Sequence, residues 1–234
     1  MSLSAGTYSK RRARLALTEK RVCKILICAI NSYNKIISQR VVFDYNDRGT
    51  YKKEDYLTSC FVDDYLQKEL QTLNSSTMDY SIANTETTEK YTSHTDGKIH
   101  PDPIDIQVVD TALSNSLGIQ DKVYFAIECK RIGSVSEYVK DTIKFTDRNY
   151  SKTRLPIEGQ LGYIAKQGWD HKRVSKKINK NLSSNTKIKT IKNLSSIGIL
   201  SGFDGTYFSR HEKKDKSHFS VYHLFFNYSN IVIN

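Results

Sequence analysis

The sequence predicts an α/β (α+β) fold, with helices and strands mixed along one chain of 234 residues. Three patterns predict it. Apolar residues recur at three- and four-residue steps in two long N-terminal segments and two shorter later ones, the spacing of core-facing helices. Two short β-branched and aromatic runs, residues 104–109 and 123–127, have strand character. The last quarter alternates strand-like runs with polar turns. The length suits a single domain. It divides into an N-terminal basic helix and connection (1–50), a core (51–182) and C-terminal strands (183–234).

In chain order, residues 1–9 read as loose. The first helix covers 14–38, where Val22, Ile25, Leu26, Ala29, Ile30 and Tyr33 form the apolar stripe. Residues 40–45 suit a short strand closed by the turn at Asn46 to Gly49. A second helix over 53–73 buries Leu57, Phe61, Val62, Leu66 and Leu70. The first central strand falls at 78–83 or at 88–95, since the Thr-rich sequence between is weakly patterned. The second begins near Ile99 and includes 104–109; the third is 123–127. A helix follows over 134–147. Residues 157–169 suggest the start of another, bearing Glu158, Gln160 and Tyr163. A third, over 169–182, steps Val174, Ile178 and Leu182 by four among Lys172, Arg173, Lys176, Lys177 and Lys180. Residues 183–187 read as a polar turn. Residues 206–211 and 218–226 flank another and predict an antiparallel hairpin. His211, His218 and His223 have core or surface roles, because no carboxylate spacing accompanies them.

The candidate chemistry lies in residues 100–132. Side chains alternate along a strand, so Glu128 and Lys130 point the same way about 7 Å apart. An acidic residue on the neighbouring strand completes a hard oxygen cage of the kind Mg²⁺ prefers, with the Cys129 carbonyl as a further ligand. Such a metal polarises a phosphodiester and generates hydroxide. Lys130 then holds or helps deprotonate the water, or stabilises the developing negative charge. The bare pattern (D/E)-x-K occurs four times, at Asp96, Glu128, Asp170 and Glu212. Only the Glu128 copy ends an apolar strand with an Asp-bearing apolar strand upstream. Asp102 and Asp105 are three apart, so a regular strand turns only one of them towards Glu128. Pro103 marks a strand start or edge, which favours Asp105; Asp102 is the alternative.

Pro101-Asp102, the strand opening at Asp105, and Glu128-Cys129-Lys130 resemble the PD-(D/E)XK nuclease superfamily, to which many restriction endonucleases belong. The resemblance implies a restriction-endonuclease-like fold, a mixed four-stranded central sheet flanked by helices, with the aspartate on the second strand and ExK on the third. It also implies a Mg²⁺-dependent DNA endonuclease, Mn²⁺ substituting, with a role in restriction or phage defence. In that family a helix before the first strand often adds an acidic residue, and Glu69 is the candidate here. In some relatives a helical Gln and a nearby Tyr, spaced Q-x-x-x-Y, complete the cleft. Here Gln160-x-x-Tyr163 is one residue shorter, and Gln160 is the candidate contact to phosphate or water. Many such enzymes act as homodimers or with partner proteins that supply targeting or a motor. An RNA-processing nuclease, or a nucleic-acid-binding protein that has lost cleavage, fits the same residues.

Net charge is +11, and it is concentrated. Residues 10–24, with Arg11, Arg12 and Arg14, and residues 166–192 together carry +14, leaving the rest at −3. Clustered basic stretches suit a polyanion such as DNA. The four cysteines form no CxxC pair or zinc spacing, which points to a reducing cytoplasm. The apolar run 25–30 is far short of a membrane span, and the N-terminus lacks a secretory h-region. No GxSxG or Gly-rich phosphate loop occurs.

Overall fold

The computed structural model describes residues 5–74, 79–151 and 153–233. In order, the elements are α1 (Ala5–Ser38), β1 (Phe43–Asp44), a 3₁₀ turn (Tyr45–Arg48), α2 (Lys53–Phe61), a π-helical turn (Val62–Leu66), α3 (Gln67–Gln71), β2 (Ser81–Ser93), β3 (Ile99–Asp110) and α4 (Thr111–Leu117). Then come β4 (Tyr124–Arg131), α5 (Val135–Lys144), β5 (Arg148–Tyr150), β6 (Ile157–Ile164), α6 (His171–Ser184), β7 (Lys189–Ser196), β8 (Thr206–Glu212), β9 (His218–Asn227) and β10 (Val232–Ile233).

Eight strands form one mixed sheet in the order β5-β2-β3-β4-β6-β9-β8-β7. β2, β3 and β4 run as an antiparallel meander, β4, β6 and β9 are parallel, and β8 and β7 return antiparallel. The parallel step from β4 to β6 needs a crossover, and α5 supplies it. The sheet is twice as wide as the four strands expected, because β5, β7 and the C-terminal hairpin of β8 and β9 all join it. β1 and β10 pair separately in parallel.

Helices cover both faces. On one, α1, α2 and α3 bury Ile25, Leu57, Phe61 and Leu70 against Ile106, Phe125, Ile127 and Leu161. On the other, α5 and α6 bury Tyr138, Val174, Ile178 and Leu182 against Ile132, Ile164, Val221 and Phe225. The two basic segments, on α1 and α6, therefore lie in opposite layers.

Four local expectations change. The first helix begins at Ala5, before the stretch expected to be loose; Ala, Lys, Arg and Leu favour helix and extend it from its packed half. The first central strand is continuous from Ser81 to Ser93, so most of both candidate stretches belongs to it; residues 79–80 and 94–95 fall outside the strand, and Met78 lies outside the described residues. Residues 189–196 are a strand that the weak pattern did not disclose. Residues 157–164 form β6, not a helix. Every residue of β6 is buried, as in a parallel strand covered on both faces, and such a strand lacks the alternation that identifies one. Its glycines fit this crowding: a Cβ on Gly159 would lie 2.8 Å from Ile127 Cγ1, and one on Gly162 2.5 Å from Ile132 Cδ1.

Candidate active site

Glu128 and Lys130 lie at the C-terminal end of β4 on the α5 side, where the ladder to β3 has ended at Ile106↔Ile127. Beyond that pair β3 is irregular. Its Asp105 and the facing Glu86 of β2 do not pair, and Glu86 has φ of 52°. Ile106 packs in the larger core with Phe125 and Ile127, whereas Ile104 packs with Tyr124 and Ala126 on the other face. Two residues apart should share a face, so β3 turns over between them.

The turnover removes the choice between the two aspartates. Asp105 Oδ2 accepts a 2.6 Å hydrogen bond from the Cys129 backbone N–H. Asp102, only 2% exposed, accepts from Arg148 Nη1 at 2.5 Å and the Tyr150 hydroxyl at 2.9 Å. Glu128 feels both. Burial, then the negative charges of Asp105 and Asp102, push its pKa well above the usual carboxylate range. Asp105 is pushed up to about 6, by burial first and by Glu54 next among the raising effects, against the Cys129 N–H that favours its anion. Asp102 carries its own counter-ion in Arg148; Asp105 has no ion-pair partner among the described residues, and its charge acts on Glu128.

Lys130 is held from two helices. Its Nζ lies 2.8 Å from Glu54 Oε1 on α2 and 3.3 Å from Asp141 Oδ2 on α5. Glu54 also accepts from the Arg131 N–H at 2.6 Å, fixing the end of β4. Burial works against the Lys130 ammonium, but the Glu54 hydrogen bond and the charges of Asp141, Glu54 and Asp105 outweigh it and hold the pKa above the ordinary lysine value.

The helix before the first central strand does supply an acidic side chain here, but it is Glu54 and not Glu69. Glu69 ion-pairs with Lys35 of α1, because α3 turns that face towards α1. Glu54, half-buried in the first turn of α2, gave no periodic signal, and only the sheet brings it to Lys130. Asp141 was hidden in the same way within an amphipathic helix. Gln160 does not line the cleft: it is 2% exposed, accepts from Thr142 Oγ1 at 2.7 Å and donates to the Tyr138 carbonyl at 3.2 Å. Its residue is strand, so its amide ties β6 to α5. Tyr163 is core. His211 and His223 are fully buried in a hydrogen-bonded row with Ser209 and Tyr138.

The donor set fits a hard divalent cation. Glu128 Oε1 is buried without a hydrogen-bond partner among the described residues, a costly state for a carboxylate oxygen. In a strand a residue's N–H and C=O point to the same side, so the Cys129 carbonyl faces the Asp105 side, where β3 no longer pairs. Among the described residues no three His, Cys, Asp or Glu side chains converge as a ready-made metal cage. Mg²⁺ does not require one, since it keeps several waters and is commonly held by one or two carboxylates plus substrate phosphate.

The basic side chains Lys172, Arg173, Lys176, Lys177 and Lys180 are exposed along α6, and none has a carboxylate within ion-pair reach among the described residues. Lys130, Lys140, Lys144, Lys189, Lys214 and Lys216 all do. On α1, Arg12 and Arg14 are exposed, Arg14 donating to the Leu117 carbonyl; the Arg11 side chain lies outside the described residues. All four cysteines are free, and among the described residues no helix is long and apolar enough to cross a membrane. Comparison with protein-family models, with curated proteins and with solved structures finds no match to this chain.

Proposed function

We propose that this protein is a metal-dependent nuclease that hydrolyses DNA phosphodiester bonds as an endonuclease, on a restriction-endonuclease-like core. The observation that carries the proposal is the buried, unpartnered Glu128 carboxylate oxygen beside Asp105, with the Lys130 ammonium on the same strand. The meander with Asp105 on its second strand and Glu128 and Lys130 on its third supports the same reading.

Asp105, Glu128 and the Cys129 carbonyl would hold Mg²⁺ or Mn²⁺, which when bound polarises a phosphodiester and lowers the pKa of water. Lys130 has a narrower role than its residue type allows. With its pKa raised it stays an ammonium at neutral pH, so it donates hydrogen bonds and counters the charge that develops on phosphate instead of removing a proton. Glu54 and Asp141 fix where that ammonium sits. The unneutralised cations of α6 hold the phosphate backbone. Restriction or phage defence is the setting this activity suits, and four free thiols suit the cytoplasm.

Nicking of supercoiled plasmid in Mg²⁺ or Mn²⁺, wild type beside Glu128→Ala and with RNA digested in parallel, tests the proposal. Wild type should nick DNA, chelator should stop it, and the variant should lose at least about 100-fold. Undiminished cutting by Glu128→Ala, or a wild type that binds DNA and never cuts, overturns it; the latter leaves a binding protein on the same fold.

A further inference from the structure

Two residues beyond the end of β4, Gly133 opens onto a cleft of about 490 Å³ between the start of α5 and the side of α6. Gly133 and the Ser134 and Ser136 hydroxyls form one wall, and Trp169, Lys177 and Lys180 form the other. Gly133 is three residues from Lys130, so their Cα atoms lie no more than about 11 Å apart. Trp169 is the only tryptophan in the chain. It is partly exposed and packs its inner side on the α5–α6 core. Cations gather on it: Lys166 Nζ lies 4.6 Å from the ring centroid, Lys177 Nζ 5.2 Å and the Arg173 guanidinium 5.4 Å. None of these, nor Lys180, has a carboxylate within ion-pair reach among the described residues.

A groove that only followed duplex phosphates would need lysines and no aromatic wall, since the bases of a duplex are stacked inside it. A partly buried aromatic ring among unneutralised cations in a concave site is the combination that binds single strands, with the base stacking and the phosphates on the cations. We infer that this cleft is a subsite for an unpaired nucleotide of a DNA strand, its base on Trp169 and its flanking phosphates on Lys177 and Lys180. The inference rests on the nucleic-acid reading above and narrows it to substrates with a single-stranded segment next to the cut: a flap, an overhang or a locally opened duplex.

The lone tryptophan makes the test direct. The full chain is titrated in chelator, where no cutting occurs, with a labelled oligothymidylate of about twelve nucleotides, within the span single-strand-binding folds cover. Label anisotropy reads binding and tryptophan emission reads the cleft. Emission should be quenched in step with binding. The base-bearing strand should bind about tenfold tighter than an abasic strand of equal length, as one stacking contact implies. Trp169→Leu should lose that preference and Trp169→Tyr keep most of it, with circular dichroism checking that both fold. Saturating oligonucleotide with unchanged emission overturns the inference, and so does equal quenching by a blunt duplex of the same length. A quenched emission with no cleavage in Mg²⁺ sinks the nuclease proposal and leaves the subsite; cleavage with no quenching does the reverse.

Discussion

Glu54 and Lys130, 76 residues apart in sequence, meet at 2.8 Å and join α2 to the last strand of the central meander. The same carboxylate accepts from the Arg131 N–H, so one side chain sets both the position of the strand end and the position of its ammonium.

Loss of this contact should impair cutting more than binding. Glu54→Gln keeps the size and one hydrogen bond but removes the charge, and should lower the cleavage rate by about 10- to 100-fold with oligonucleotide affinity in chelator little changed. Lys130→Ala should lose about 100-fold or more, and adding Glu54→Gln to it should cost little further. Additive losses in the double variant would show that Glu54 does not act through Lys130. Because the ammonium is held above the ordinary lysine pKa, the rate should show no falling limb from lysine deprotonation up to about pH 10.

Two buried like charges should strain the metal-free protein. Glu128→Gln removes one of them and should raise the melting temperature at neutral pH by a few degrees, about 1 to 2 kcal/mol. Wild type should gain stability on adding Mg²⁺, and the variant should gain less. Thermal melts with and without the ion read both; a variant less stable than wild type would mean that the Glu128 charge is compensated.

Salt dependence should separate the two basic helices. Binding of DNA in chelator should weaken steeply with salt, and Lys172→Ala with Lys176→Ala should flatten the log–log slope by about one per cation removed. Arg12→Ala with Arg14→Ala, in the opposite layer, should flatten it less. Equal effects would show that the substrate spans both layers.

Acid should unfold the protein partly through its buried histidines. Burial lowers His211 to about 4, and burial followed by the nearby His211 lowers His223 well below the ordinary value. An unfolded histidine takes up its proton near pH 6.5. The unfolded state therefore binds more protons below that, so this stability is complete above about pH 6.5 and is lost as pH falls towards 4. Between pH 7 and pH 5, His211 alone accounts for about 2 kcal/mol. Urea unfolding of His211→Gln should show a shallower loss over that range, and an unchanged slope would exclude His211 as a source.

The sequence by itself marked most of the elements and the stretch, residues 100–132, in which the candidate site lies. Periodicity marked the stripes of α1, α2 and α6, because a helix buried on one side must repeat its apolar residues. The strand that delivers Glu128 and Lys130 separated that copy of (D/E)-x-K from three others, because it alone ends an apolar strand with an Asp-bearing apolar strand upstream. Tertiary structure decided the rest. β6 reads poorly because helices cover both its faces and its burial has no period. The choice between Asp102 and Asp105 rested on a parity that β3 breaks where it turns over between Ile104 and Ile106, a distortion set by its neighbours β2 and β4. Glu54 and Asp141 reach Lys130 from helices on opposite faces of the sheet, and the Trp169 cleft forms between two helices side by side on one face, relations with no local signature.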